Sequence, residues 1–244
     1  MNFRIGLCSI SFRNLSPTEI IENMKMAGLS YIEWGSDVHA PIEKAEEIAI
    51  LQKQHNIICC SYGTYFVLGA TPLNELEKYI NAAKILGTNI LRVWCGNKNS
   101  EDYTEAEKSQ LFAQCKSAAK IAEQHGVILC MECHNNTYTN TKEAALELMR
   151  AINNEFFKMY WQPNQFKSDQ ENYEYASLLS QYTVNIHVFN WNGQKRYPLK
   201  DAKTVWQRYL TCFNNKSFLL LEFMPDDKIE SLRAETEALK EIYQ

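Results

Sequence analysis

The chain has 244 residues, 45% hydrophobic and 22% charged, with a formal net charge of −4. This is close to the roughly 250 residues of one (β/α)8 barrel, and the composition is ordinary for a soluble globular protein. A diffuse acidic balance excludes nucleic acid as a partner, which needs a concentrated basic surface, and no apolar run approaches the roughly 20 residues that cross a bilayer.

The opening residues, MNFRIGLCSISF, are too short and polar for a signal peptide, and residues 3–9 read as the first strand. Ser16-Pro17-Thr18-Glu19 is a capping box with proline at the first helical position, and Gly28 ends that helix. Further strands are predicted at 30–34, 57–62, 89–94, 127–132, 158–162, 185–189 and 218–223. Most are continuous apolar runs, as strands of a parallel sheet covered on both faces should be. Helix starts are predicted at Thr104 with Glu107, Asn140 with Glu143, Ser168 with Glu171 and Asp227 with Glu230, and helix ends at Gly87 and Gly126. The strands recur every 25 to 40 residues or so, the size of a βα unit in such barrels. The predicted class is therefore α/β, a (β/α)8 TIM barrel forming a single domain over residues 1–244. A doubly wound open sheet competes, but no GxGxxG or GxxxxGK[ST] follows the first strand to support a nucleotide fold.

Most of the eight cysteines lie in or beside apolar strands, where a free thiol packs as a small hydrophobe. Cys130 and Cys133 are spaced CxxC, but on a strand they face opposite sides. Reduced thiols and a cytoplasmic protein are expected.

In such a barrel the site lies at the C-terminal ends of the strands. Polar residues that end or interrupt apolar strands are its candidates: Glu33, Arg92, Glu132, His187 and Glu222. A carboxylate entering a barrel interior needs a counter-charge or a metal. Two glutamates and a histidine on one rim suit a divalent cation. His55 and His125 precede strands and belong to the stability face, whereas His39 and His134 follow strands and are candidate substrate contacts. Trp34, Tyr62, Tyr65, Trp94, Trp161 and Trp191 collect near the same rim, where aromatic rings line a metabolite pocket or pack the barrel against its helices. If Glu33 points inward, Trp34 points outward, and the same holds for Trp161 beside Gln162.

The blocks YIEWGSDVHAP, CSYGTYFVLGA, LRVWCG, ECHNNTYT, YWQPNQ, HVFNW and LLLEF occur in order along nearly the whole chain. Together they resemble the xylose-isomerase-like barrel superfamily, and within it a bacterial group of sugar phosphate isomerases/epimerases. The resemblance implies a divalent metal (manganese, magnesium, cobalt or zinc) held by a Glu, Asp, His, Glu set. Here that set reads Glu132, Gln162, His187 and Glu222. Gln162 stands where the family has Asp, and Gln165 where the epimerases often have His. A glutamine oxygen coordinates a hard cation but brings no charge, so weaker metal binding is expected.

The resemblance further implies a sugar isomerase or epimerase acting on a small ketose or keto-polyol through an enediolate, with Glu132 and Glu222 exchanging the proton. Glu33, His39, Tyr62, Arg92, Trp94, His134 and Arg196 are the expected substrate contacts. Three alternatives stay open: a lyase dehydrating a keto-polyol or acting on a 3-keto-glycoside, a metal-free glycosidase using the two glutamates, and a sugar-binding barrel without catalysis. A nuclease site is excluded, because Ser61-Tyr62 and Trp94 stand where its histidines would be. The expected partner is a small carbohydrate, with no nucleic acid and no membrane. Relatives often pair as dimers or tetramers, which leaves room for a homo-oligomer.

Overall fold

Strands that are apolar on both faces need cover on both, which a closed sheet with helices outside it supplies. The computed structural model, which describes residues 3–214 and 216–243, has that form. Its strands are β1 (Arg4–Cys8), β2 (Tyr31–Gly35), β3 (Ile58–Leu68), β4 (Ile90–Cys95), β5 (Ile128–Glu132), β6 (Phe157–Trp161), β7 (Thr183–Val188), β8 (Trp191–Asn192), β9 (Lys195–Arg196) and β10 (Phe218–Leu221). All except β8 and β9 pair in parallel with their neighbours, and β1 closes the barrel on β10. The outer helices are α1 (Pro17–Ala27), α2 (Ala45–Gln54), α3 (Leu76–Ile85), α4 (Glu105–His125), α5 (Lys142–Ile152), α6 (Asp169–Leu179), α7 (Lys203–Leu210) and α8 (Leu232–Tyr243). Among the described residues no helix is long and apolar enough to cross a membrane. All eight cysteines are free.

The local signals hold in most places. Ser16, Thr104 and Ser168 form complete capping boxes with Glu19, Glu107 and Glu171. Gly28, Gly87 and Gly126 adopt the left-handed φ that closes a helix. Two expected caps move. Asn140 spends its side chain on the Ser100 N–H and on Glu101, so Thr141 caps α5 instead. Asp227 has a φ of 59°, which a cap residue in extended conformation cannot have, and α8 begins only after a 3-10 turn at Ile229–Ser231. Two further differences concern strands. β3 runs on to Leu68 through a register shift between Gly63 and Val67, and the segment after β7 folds into the β8–β9 hairpin.

Period-two alternation divides the side chains into two layers. Leu91, Val93, Leu129, Met131, Ile186, Val188, Leu219 and Leu221 belong to the core between barrel and helices. Cys60, Cys130, Tyr160, Phe218 and Leu220 form a second cluster that plugs the barrel interior. Two positions further along three of the same strands the chain places Glu132, Gln162 and Glu222. An apolar plug with a polar layer above it is what the strand ends encode. Trp34 points outward as expected, its indole bonded to Gln52 of α2 at 3.1 Å. Trp161 likewise packs on Trp206 and Tyr209 of α7.

Candidate active site

Arg92 comes up from β4 into the barrel and is 1% exposed. Its Nε donates to Glu33 of β2 at 2.8 Å and its Nη1 to Glu132 of β5 at 2.7 Å. The Trp94 indole donates to the same Glu132 oxygen that accepts from Arg92. Room for this bridge comes from Gly63 of β3. A Cβ there would lie 2.6 Å from Glu33 Oε1 and 2.8 Å from Arg92 Nη2. An isolated glycine inside a strand pattern signals such a close approach, and the sequence carries that signal.

His187 of β7 stands at the centre of the remaining groups, fully buried. Its Nδ1 is 2.9 Å from Gln162 Oε1, 3.3 Å from Glu132 Oε1 and 3.4 Å from Glu222 Oε2. Its Nε2 is 3.4 Å from Glu33 Oε1. Cys8, at the end of β1, lies on the same floor, with its thiol 3.4 Å from Glu33 Oε1. Nothing in the sequence separates Cys8 from the thiols that only pack.

The carboxylates differ in kind. Burial alone would raise Glu33, but Arg92 and His187 beside it hold it well below the usual carboxylate range. Glu132 is subject to the same opposition, burial against the Arg92 charge, and is held down at about 2. Burial pushes Glu222 up to about 7, with His187 opposing and the charge of Glu132 adding to the rise. His187 loses solvation, yet Glu222 and Glu33 hold its pKa well above the ordinary value. Burial, with Glu33 nearby, pushes the Cys8 thiol up, so it stays protonated.

Above this floor opens a cavity of about 410 Å³, the size of a metabolite pocket. Arg92, Trp94, Glu132, His134, Gln162 and Glu222 all reach its lining. His134 stacks on Trp94 with ring centroids 5.1 Å apart. Glu33 and His187 lie beneath the lining. Asn135, Asn136 and Asn164 line the cavity too, and no strand-end signal marks them in the sequence, whereas Phe189 and Phe223, which also line it, are the last residues of predicted strands. Phe223 does so with a left-handed φ of 57°, a strained conformation for an aromatic residue.

Four expected substrate contacts do not line the cavity: Glu33, which lies beneath it on Arg92, and Tyr62, His39 and Arg196. Tyr62 faces outward because its neighbours Ser61 and Gly63 take the inward positions, and its hydroxyl donates to the Ala40 carbonyl at 2.7 Å. His39 is turned back by hydrogen bonds from its own and the Ala40 N–H to the Gly35 carbonyl. Its Nδ1 sits 3.0 Å from Ser9 Oγ, and burial lowers its pKa. Arg196 stays behind the wall, 4.6 Å from the Trp191 and Phe223 rings and paired with Asp227.

The donor set suits a divalent cation. With bonds of about 2.1 Å, adjacent ligands of an octahedral ion lie about 3.0 Å apart. Gln162 Oε1, Glu132 Oε1 and Glu222 Oε2 each lie from His187 Nδ1 at a distance on that scale. Among the described residues Glu222 contacts no arginine or lysine, and its one charged partner is the titratable imidazole of His187, 3.4 Å away. Cys8, His187 and Glu222 also form a buried cluster whose ligand atoms lie within 4.8 Å of one another.

Residues 21–214 match the family of xylose isomerase-like TIM barrels. A 3-dehydroshikimate dehydratase of Bacillus anthracis is 26% identical over 172 residues, which cover 64% of this chain and 60% of that relative, less than two thirds of its length. Among solved structures, the probable 3-DHS dehydratase AsbF of the same organism superimposes with a TM-score of 0.79 at 20% identity, covering 98% of this chain and 99% of that one. D-psicose 3-epimerase of Clostridium cellulolyticum H10, solved with D-tagatose, gives 0.70 at 13% identity, with coverage of 98% and 97%. The IOLI protein, solved with a zinc atom, gives 0.74 at 14% identity, with coverage of 99% and 96%. At these identities the three structures share the fold.

Proposed function

The chain belongs to the family of xylose isomerase-like TIM barrels, and from that premise we propose an enzyme that moves a proton on the carbon beside a carbonyl of a small polyhydroxylated substrate, as a sugar isomerase or epimerase does. The observation that carries the proposal is the gathering of Glu132, Gln162 and Glu222 around His187 Nδ1 at the floor of a metabolite-sized cavity. Carboxylate, amide and imidazole donors from neighbouring strands are the equipment of metal-assisted carbon-acid chemistry.

The two glutamates that line the cavity divide the labour. Glu132, gripped by Arg92 and Trp94, is a fixed anion. Glu222 has no such grip, and it is the group that takes the proton from one face of the substrate and, in an isomerisation, returns it to the neighbouring carbon on that face; in an epimerisation a second acid supplies the proton on the opposite face. A divalent cation held by Glu132, Gln162, His187 and Glu222 supplies, when bound, the positive charge that stabilises an enediolate. His134 and the Asn135–Asn136 turn orient hydroxyl groups, and the ring of Trp94 covers an apolar C–H face.

The second reading, a dehydratase, is favoured by the 26%-identical 3-dehydroshikimate dehydratase. It begins with the same proton abstraction and ends with loss of a β-hydroxyl.

The test follows protein loaded with manganese, cobalt, magnesium or zinc and a panel of ketoses and keto-polyols by NMR in D2O. Deuterium appearing beside the carbonyl with an isomeric product supports the first reading, and a product lighter by one water supports the second. Absence of exchange across the panel, together with no metal-induced rise in melting temperature, overturns both.

A further inference from the structure

We infer that the site takes an uncharged polyhydroxylated carbonyl compound and rejects the phosphorylated or carboxylated counterparts of that compound. The inference rests on the proton-transfer reading above and specifies its substrate class.

The cations around the cavity are already paired. Arg92 serves Glu33 and Glu132. Arg196 backs the Trp191–Phe223 wall and is held by Asp227. Arg13, whose Nη1 is 3.2 Å from the hydroxyl of the lining residue Tyr65, is held by Asp37. Among the described residues no lysine lines the cavity. On the floor, three carboxylates (Glu33, Glu132 and Glu222) face one guanidinium. A divalent cation bound through His187, whose imidazole is then neutral, would bring that balance only to neutrality. A phosphate or carboxylate entering here would lose hydration and meet no net positive charge.

The polar groups left open are carboxamides. Gln162 uses its oxygen toward His187, and Asn135 uses its oxygen to accept from Asn164 at 2.6 Å. Their amide nitrogens, and the side chains of Asn136 and Gln165, have no partner among the described residues while lining the cavity. A carboxamide both donates and accepts, as a hydroxyl does, whereas an oxyanion only accepts and is best held by arginine or a free helix N-terminus. The start of α6, the helix that follows the Gln162–Gln165 segment in the chain, is already closed by Ser168 and Glu171.

The experiment compares matched pairs with manganese-loaded protein: D-tagatose against D-tagatose 6-phosphate, and the dihydroxycyclohexenone that lacks only the carboxylate against 3-dehydroshikimate. It follows deuterium incorporation beside the carbonyl. The neutral member of at least one pair is expected to exchange with kcat/KM greater by about tenfold or more. Asp227→Asn, which releases Arg196, should raise kcat/KM for the phosphate severalfold and leave that for the neutral sugar unchanged. Faster exchange of the charged members overturns the charge assignment and leaves the proton-transfer reading standing. An unchanged neutral-to-phosphate ratio in Asp227→Asn overturns the role given to the paired rim. No exchange from any member overturns both the inference and the reading it rests on.

Discussion

On the β2–β5 side of the site Arg92 binds Glu33 and Glu132 at once and Trp94 adds a further donor, whereas on the β6–β10 side Gln162, His187 and Glu222 face one another with no arginine or lysine among them and only the titratable imidazole to carry positive charge. Both sides are buried to a similar degree. The difference lies in compensation: one side is a scaffold whose charges are matched within the protein, and the other leaves its donors available to something that binds.

Breaking the scaffold side should have the largest effect. Arg92→Leu leaves Glu33 and Glu132 buried without their counter-charge, and unfolding in urea should show a loss of roughly 3–5 kcal/mol. Glu222→Gln should behave in the opposite way, leaving the fold intact and lowering the rate of proton exchange about 10²–10⁴-fold, as read by NMR.

The same variant sharpens the comparison through pH. Glu222 is raised from 4.5 to about 7 in the folded protein, so between these values the folded state holds a proton that the unfolded state has lost. Metal-free wild type should therefore lose stability as pH rises through that window, and Glu222→Gln should lose less. Melting curves at a series of pH values measure this, and a wild-type profile parallel to that of the variant would contradict the assignment.

Gly63→Ala should have an intermediate effect. The added methyl meets Glu33 and Arg92 at less than van der Waals distance, and displacing them should destabilise by about 1–3 kcal/mol and lower metal affinity through Glu132. The smallest effect is expected at Tyr62, away from both sides. Tyr62→Phe removes one hydrogen bond to Ala40 and should cost about 1 kcal/mol with KM unchanged.

Much of the site is legible in the amino-acid sequence. Glu33, Arg92, Glu132, His187 and Glu222 each interrupt or end an apolar strand, and a polar residue in that setting has few purely structural explanations. The alternation that sends Trp34 and Trp161 outward is equally readable. Tyr62 lies near a strand end and so reads as a rim residue, yet the register of β3 against β2 turns it away from the pocket, and a single strand does not reveal that register. His39 and Arg196 follow strand ends closely in the chain, but proximity in sequence does not see a turn that folds back on Gly35 or an ion pair with Asp227.

Taken alone, the sequence determined the eight-fold succession of strands and helices, most helix boundaries, and which strand ends carry polar groups. These follow from periodicity and capping within ten or so neighbouring residues, so a local reading recovers them. Tertiary structure alone decided which charges meet: Arg92 with Glu33 across 59 positions and with Glu132 across 40, and Gly63 making room for the first of these pairs. Electrostatic partnership depends on distance in space, and barrel closure sets that distance between strands far apart in the chain.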